Sequence, residues 1–239
     1  MIYITGDFHG YLDGARLEPA QFDYEGLTRN DKMINVGDFG FIWYGDKRDE
    51  EQMEWLRKLP ITLLFIDGNH ENFVALKEYP EEVWCGGRVH RIADNILHLM
   101  RGQVYDIDGK RFFTFGGGKS IDKARRTEGV SWWPEEMPSV AECEEAIKNL
   151  DQVEWNVDYV LTHAAPNNVI PRIAPYIGSD MLNQFLETID QELRYKHWYF
   201  GHYHAERDLD AKHTLLYHSF VEVGKTLQEK EVFRIKHEL

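Results

Sequence analysis

Five short polar clusters stand directly after apolar runs, and they hold the residues whose types and spacing best suit chemistry. They read GDFHG (6–10), GDFG (37–40), DGNHE (67–71), THAAP (162–166) and GHYH (201–204). The apolar runs predict strands, and the ligand sites of α/β proteins form where loops converge at strand ends. The clusters therefore predict one site that is assembled from five strand ends.

Two of the clusters supply paired metal-ligand types at positions i and i+2. Asp7 and His9 form one pair, and His202 and His204 form the other. In extended backbone this spacing puts both side chains on the same face, where one ion can meet both. Three further strand ends add one donor each: Asp38, Asn69 and His163.

The complete donor set has two carboxylates, one amide and four imidazoles, and it contains no thiolate. It exceeds what one tetrahedral zinc ion needs and suits two borderline divalent ions, such as Mn²⁺, Fe or Zn²⁺. Each cluster taken alone also fits a plain turn or a packed histidine. The metal prediction therefore depends on the joint occurrence of all five clusters.

The elements that position these clusters can be read from apolar patterns. Strands are predicted at Ile2–Thr5, Met33–Val36, Ile61–Ile66, Ile96–Met100, Gln103–Ile107, Arg111–Phe115, Tyr159–Thr162, Trp198–Phe200, Thr214–His218 and Val232–Ile235. Helices are predicted at Glu51–Leu59, Phe73–Tyr79, Val140–Leu150 and Ser179–Arg194, with Ser179 as the N-cap of the last. Early strands alternate with helices and later ones follow one another as hairpins, which indicates an α/β fold with more than one sheet.

The segment 116–139 has no clear period and begins with GGGKS. A phosphate-binding P-loop would need a glycine where Phe113 stands, so GGGKS is interpreted as a glycine-rich turn. Loops of this length are usually functional or disordered, and two tryptophans, which either anchor the loop or stack a base, favour order. Arg125 and Arg126 are either solvated surface residues or a cap that places a guanidinium over a substrate phosphate.

Composition restricts the class of protein. The 239 residues carry a net charge of −14, from 27 basic and 41 acidic side chains, which argues against stable nucleic-acid binding. Two cysteines without a CxxC pattern favour a reduced, cytoplasmic protein, and no apolar run is long enough to cross a bilayer. The start shows no signal-peptide pattern. A single domain over residues 1–239, with a cap-like loop at about 116–139, fits this length.

The order of the clusters resembles the signature of the calcineurin-like metallophosphoesterase superfamily: D-x-H, G-D, G-N-H-[DE], H and G-H-x-H. Every element is present between Asp7 and His204. The resemblance implies an α/β fold of two mixed β-sheets packed face to face and flanked by helices, a four-layer αββα sandwich. The SIDK and SWWP stretches of the segment 116–139 look like those of bacterial and phage members.

By this resemblance the donors divide between two divalent ions, with Mn²⁺ favoured and Fe or Zn²⁺ as alternatives. The implied ligands are Asp7, His9 and His204 for the first ion, Asn69, His163 and His202 for the second, and Asp38 as the bridge. His70 matches the non-ligand histidine of the family that faces the substrate phosphate. The partner is then a phosphate ester, either a small molecule or a phosphoprotein; the sequence leaves the oligomeric state open.

The expected reaction is hydrolysis of a phosphate ester by a hydroxide that the two ions share. A phosphomonoesterase is slightly favoured; the alternatives are a phosphodiesterase acting on a nucleotide or short oligonucleotide, and a non-catalytic metal-binding interaction module. His70 would protonate the leaving oxygen or stabilise its charge, with Glu71 either orienting it or serving as a helix-start acid.

The residues after Asp38 argue against a Ser/Thr protein phosphatase. Members of that class continue after the second aspartate with x-V-D-R-G, whose arginine grips phosphate, whereas this chain continues with FGFIW. Because this arginine is missing, Arg125 and Arg126 become the residues that we expect to bind the phosphate.

Overall fold

The computed structural model describes residues 1–228, and within them the strands form two mixed sheets. The strands are β1 (Ile2–Thr5), β2 (Lys32–Val36), β3 (Thr62–Ile66), β4 (Glu81–Trp84), β5 (Gly87–Ala93), β6 (Ile96–Leu99), β7 (Gln103–Ile107), β8 (Lys110–Phe115), β9 (Tyr159–Thr162), β10 (His197–Phe200), β11 (Arg207–Asp208), β12 (His213–Leu215) and β13 (Phe220–Glu222). The first sheet has the order β13-β1-β2-β3-β6-β5-β4, and the second has the order β11-β12-β10-β9-β8-β7.

The centre of each sheet is parallel and its edges are antiparallel. Strands β1, β2, β3 and β6 run parallel in the first sheet. Strands β8, β9, β10 and β12 run parallel in the second. Parallel neighbours end at the same edge of a sheet, so the loops after β1, β2 and β3 converge, as do those after β9 and β10.

Helices cover the outer faces of both sheets. They are α1 (Tyr11–Gly14), α2 (Lys47–Arg57), α3 (Phe73–Leu76), α4 (Val140–Gln152), α5 (Ile170–Ile173) and α6 (Met181–Glu192). One apolar cluster lies between the sheets, a second packs α2 against the first sheet, and a third packs α4 and α6 against the second. The predicted four-layer αββα sandwich is confirmed. Among residues 1–228, no helix combines the length and apolar character needed to cross a membrane.

Helix ends differ from the prediction because capping side chains decide them. Helix α2 begins at Lys47, earlier than predicted, where the Asp46 carboxylate accepts from the Arg48 backbone N–H. The N-cap of α6 is Asp180 and not Ser179, since the Asp180 carboxylate accepts from two backbone N–H groups of the first turn. The predicted helix Phe73–Tyr79 is a single turn that ends at Leu76.

Most predicted strands agree with the structure within one residue at each end, but the hairpin β4–β5 was not predicted. Its turn, Cys85 and Gly86, has positive φ at both positions, 50° and 92°, which is the geometry of a type I′ turn. Strands β11 and β13 are too short for a periodic signal. The predicted strand Thr214–His218 ends at Leu215, and Val232–Ile235 lies outside the described residues.

The segment 116–139 packs onto the body of the protein at both of its ends. Near its start, the backbone N–H of Gly117 donates to the backbone carbonyl of Asp67, which follows β3, at 2.9 Å. Near its end, Trp133 is buried and contacts Trp43 edge to face, with ring centroids 5.4 Å apart. Trp133 therefore anchors the segment, while a capping role for the whole segment stays a prediction.

Candidate metal site

The five polar clusters meet where the two sheets expose the carboxyl ends of their parallel strands. The backbone carbonyl of Asp38 accepts from the N–H groups of Phe8 and His9, at 2.9 and 2.8 Å. These bonds tie the loop after β1 to the loop after β2. The backbone N–H of His70 donates to Oδ1 of Asp38 at 2.7 Å, which ties in the loop after β3.

The backbone at the donor residues is not extended, so the prediction of an extended chain at the two i, i+2 pairs is wrong. His9, Asp38, His202 and His204 all have positive φ, at 47°, 50°, 72° and 46°. Non-glycine residues adopt the left-handed region rarely, and such residues cluster at functional sites. The tight turns that follow each strand therefore aim these side chains, in place of the alternation of a strand.

The first donor group comprises Asp7, His9, Asp38 and His204, each of which contributes an atom within 4.8 Å of the others. Nε2 of His204 lies 3.4 Å from Oδ2 of Asp7. Oδ2 of Asp7 and Nε2 of His9 are buried and make no hydrogen bond within residues 1–228. Buried polar atoms without a partner are costly, and a cation between them would satisfy both. The group therefore fits a metal ion.

The orientation of His9 is fixed by a residue that sequence reasoning missed. Nδ1 of His9 lies 2.7 Å from Oδ2 of Asp13, in helix α1. The Nδ1–H group donates to this carboxylate, so the lone pair of Nε2 is directed into the donor group. The signal in the sequence was weak, because an acidic residue four positions after a histidine is common on helices.

The second donor group comprises Asn69, His163 and the other carboxylate oxygen of Asp38. Nε2 of His163 lies 3.2 Å from Oδ1 of Asn69 and 3.2 Å from Oδ1 of Asp38. Nδ1–H of His163 donates to the carbonyl of Val36 at 2.9 Å, and the amide of Asn69 donates to Oγ of Ser120 at 3.2 Å. Both bonds leave Nε2 of His163 and Oδ1 of Asn69 directed toward Asp38 and each other.

His202 stands beside the second group and His204 beside the first, so the pair does not meet one common point. The ring of His202 lies edge to face on that of His163, with centroids 4.9 Å apart. Its backbone N–H donates to Oδ1 of Asp7 at 3.1 Å. Burial lowers the pKa of His202 to about 3, which keeps its imidazole neutral and able to donate a lone pair.

The electrostatic field of this site attracts positive charge. Burial raises the pKa of the Asp7 carboxyl to about 6. Burial opposes protonation of His9 and His163, but the Asp38 carboxylate outweighs it and raises the pKa of each imidazole to about 9. In the protein alone, protons therefore neutralise the carboxylates, which is the role that divalent cations would take.

A glycine leaves room for the second donor group. A Cβ on Gly118 would lie 2.9 Å from Cδ2 of His163, 3.1 Å from Oδ1 of Asn69 and 3.2 Å from Cε1 of His202. The glycine-rich turn GGGKS thus packs against the site, as its place after β8 requires. A side chain at Gly118 would occupy the space between these three ligand types.

His70 lies at the rim of the site, between an arginine and a tryptophan. Nη2 of Arg126 lies 3.1 Å from Nε2 of His70, and the ring of Trp43 stacks on that of His70 at 6.0 Å. Burial, together with the neighbouring Arg126 and His9, lowers the pKa of His70 to about 4. Arg126 also pairs with Asp122 at 2.8 Å. Among the cationic residues of the segment 116–139, the structure brings Arg126 to the site, while Arg125 is exposed.

Glu71 has neither of its two expected roles. Its buried carboxylate accepts from the backbone N–H groups of Phe39 and Gly40, at 2.7 and 3.2 Å. The N-cap of α3 is Asn72. Glu71 therefore holds the loop that follows Asp38, a buried role that its position beside His70 did not reveal.

Comparisons with known proteins show the family to which this chain belongs. The family model described as calcineurin-like phosphoesterase matches residues 1–206. A lariat debranching enzyme of Schizosaccharomyces pombe is 25% identical over 86% of this chain and 43% of its own length. One of Drosophila pseudoobscura pseudoobscura is 24% identical over 86% of this chain and 42% of its own. This chain thus spans less than half of the length of these relatives.

A solved structure, the phosphopantetheinyl hydrolase of Mycobacterium tuberculosis, is 16% identical and superimposes with a TM-score of 0.45. The superposition covers 91% of this chain and 89% of that one. The family match includes every strand end that contributes to the two donor groups, from Asp7 to His204. This protein therefore belongs to the calcineurin-like phosphoesterase family.

Proposed function

We propose that this protein is a metal-dependent phosphodiesterase with two divalent ions in the candidate site. The observation that carries the proposal is the meeting of the two donor groups around the two oxygens of Asp38. The proposed ligands are Asp7, His9 and His204 for one ion, Asn69, His163 and His202 for the other, and Asp38 between them. Mn²⁺ suits this mixture of oxygen and nitrogen ligands.

The two ions would supply Lewis acidity to the phosphate and a lowered pKa to water. The protein contributes the remaining contacts. Arg126 donates to His70 in the protein alone, and an anionic phosphate oxygen is the stronger acceptor for the same guanidinium. The imidazole of His70 then lies beside the phosphate, where its N–H donates to the leaving oxygen.

A diester is favoured over the monoester that sequence reasoning slightly preferred. The relatives are named lariat debranching enzymes, a phosphodiesterase activity, and they lend the monoester no support. A monoester carries close to two negative charges at pH 7 whereas a diester carries one. A protein of net charge −14 repels the diester less. Cytoplasmic location stays a prediction.

The direct test compares bis(p-nitrophenyl) phosphate with p-nitrophenyl phosphate in the presence of Mn²⁺. We expect turnover of both esters and a higher kcat/KM for the diester. A higher kcat/KM for the monoester would contradict the diester preference but leave the phosphoesterase activity intact. No turnover of either ester, with two ions bound, would favour a non-catalytic metal-binding module.

Substitution Gly118→Ala is expected to weaken the binding of the ion held by the second donor group specifically. The added methyl group would stand within 3.2 Å of atoms of His163, Asn69 and His202. We expect the affinity for the second equivalent of Mn²⁺ to fall about tenfold or more, as for other disturbances around metal ligands. Isothermal titration of metal into the apoprotein measures this.

The matched control is Gly178→Ala, where an added Cβ meets no atom within 4 Å. Neither glycine has positive φ, so neither substitution forces a side chain into the left-handed region. An unchanged affinity for the second equivalent of Mn²⁺ in the Gly118→Ala protein would show that the space between His163, Asn69 and His202 does not hold an ion.

Substitution Arg126→Ala is expected to lower kcat/KM for the diester about 10- to 100-fold, because a charge-assisted bond to phosphate is lost. Arg125→Ala provides a paired comparison, since Arg125 is the neighbouring residue and is exposed. We expect a clearly smaller loss for Arg125→Ala in steady-state kinetics. An equal or larger loss there would assign the phosphate contact to Arg125.

A further inference from the structure

A pocket of about 340 Å³ opens beside the candidate metal site, against His9 and His70. Its remaining walls come from the start of α1, from the loop between β2 and α2, and from α2 itself: Gly10, Tyr11, Leu12, Gly40, Trp43, Tyr44 and Gln52. The volume is at the lower end of the range for small-molecule sites. A group attached to a phosphate in the metal site would enter this pocket directly.

Aromatic and apolar side chains of this pocket are unusually exposed. Tyr11 is 51% exposed, Tyr44 48% and Leu12 81%. Exposed apolar side chains that cluster beside a site mark a surface that binds a ligand. All three residues line the pocket.

Two of the aromatic rings are held in place before any ligand binds. Trp43 contacts the anchored Trp133 edge to face, at 5.4 Å. The guanidinium of Arg48 lies over the ring of Tyr44, 3.5 Å from its centroid. Rings that are fixed in advance lose little conformational entropy when another ring stacks on them.

A polar group accompanies the rings. Oε1 of Gln52 lies 3.5 Å from the point where a Cβ on Gly10 would stand, so the amide lies beside Gly10 in the lining of the pocket. Its NH₂ group makes a long contact of 3.5 Å to the carbonyl of Arg48. A carboxamide offers both donors and an acceptor, which matches the edge of a nucleobase.

We infer that this pocket binds the nucleobase of a short nucleotide ester whose phosphate occupies the metal site. The inference rests on the proposed function and names its substrate class. The rings supply stacking surface, and the Gln52 amide supplies hydrogen bonds that a plain phenyl ring would not use. The net charge of −14 disfavours the further phosphates of a long strand.

The test measures binding of AMP and of ribose 5-phosphate to the Mn²⁺-loaded protein by calorimetry, which does not require turnover. AMP differs only by its base, and stacking of a base on aromatic side chains corresponds to about 5- to 150-fold in affinity. We expect AMP to bind about tenfold or more tightly than ribose 5-phosphate. Equal affinities, or no binding of either, would overturn the inference.

Variants locate the preference in this pocket. Tyr44→Ala and Gln52→Leu are each expected to reduce the AMP preference, and Tyr44→Phe is expected to restore it because the ring and its contact with Arg48 remain. Tyr176→Ala, at a tyrosine that is 87% exposed and outside the pocket, serves as the control. A preference that survives both pocket variants would place the base elsewhere.

Two further ligands separate this inference from its rivals. Phosphotyrosine binding as tightly as AMP would show that the pocket accepts a phenyl ring and does not select a nucleobase. Tighter, salt-dependent binding of a long single-stranded RNA would show that the ligand is a polymer and not a short nucleotide. An AMP preference without turnover of any ester would overturn the proposed function and leave the nucleobase pocket standing.

Discussion

Replacing Asp38 with asparagine is expected to lower kcat/KM for the diester by about 10³-fold or more, because loss of metal charge at the phosphate costs several kcal/mol. Oδ1 of Asp38 faces His163 and its Oδ2 faces His9, at 3.2 Å each. An amide at this position removes one negative charge from between the donor groups. We therefore expect fewer than two ions per chain after gel filtration, measured by elemental analysis beside steady-state kinetics.

Asp94→Asn is the matched control for this change. Asp94 is exposed in the turn between β5 and β6, far from the strand ends that form the site. The same isosteric substitution there should leave metal content and kinetics unchanged. Full activity and two bound ions in the Asp38→Asn protein would refute the assignment of Asp38 as the residue between the metals.

His70→Ala is expected to lower kcat about 10²- to 10³-fold, which is the usual cost of removing one hydrogen-bond donor from a developing negative charge. The substitution should leave both metal ions in place. His70 holds Asp38 through its backbone N–H, at 2.7 Å, and alanine keeps that bond. Single-turnover kinetics and metal analysis of the same preparation measure the two quantities together.

The Asp38→Asn and His70→Ala proteins are expected to differ in metal content. One variant should lose metal and rate together, while the other should lose rate alone. A kcat within about threefold of wild type, below the usual range for a hydrogen-bond donor to developing charge, would remove His70 from the catalytic group. Loss of an ion from the His70→Ala protein would instead make His70 a ligand.

The convergence of the donor residues was accessible from the sequence because it follows from local rules. Asp7, Asp38 and Asn69 each follow an apolar run, and parallel strands end at the same edge of a sheet. The pattern of donors after strands therefore carries spatial information. His163 and His202 also follow predicted strands, and the structure pairs these strands as parallel neighbours in the second sheet.

The details that tune the site were not accessible, since they depend on contacts between distant segments. Asp13 orients His9 from helix α1, and Trp43 reaches His70 from the loop before α2. Arg126 and Arg125 are adjacent in sequence, yet the fold brings the first to His70 and leaves the second exposed. Sequence could nominate both arginines but could not choose between them.

Backbone conformation explains the other differences. The spacing of Asp7 and His9 predicted an extended chain, but positive φ at His9 turns the backbone directly after the strand. The buried Glu71 carboxylate binds two backbone N–H groups of the loop after Asp38, a contact that no periodic pattern encodes. Both features depend on how loops that are distant in the sequence pack together. Short-range sequence patterns do not report that packing.

The most direct measurement follows hydrolysis of bis(p-nitrophenyl) phosphate while Mn²⁺ is titrated into protein that a chelator has stripped of metal. The proposed two-ion site predicts no turnover without metal and full turnover once two equivalents per chain are bound. It also predicts that a chelator abolishes the activity again. Hydrolysis that is indifferent to stripping, or two bound ions without hydrolysis of the diester, would contradict the central claim that this site is a metal-dependent phosphodiesterase.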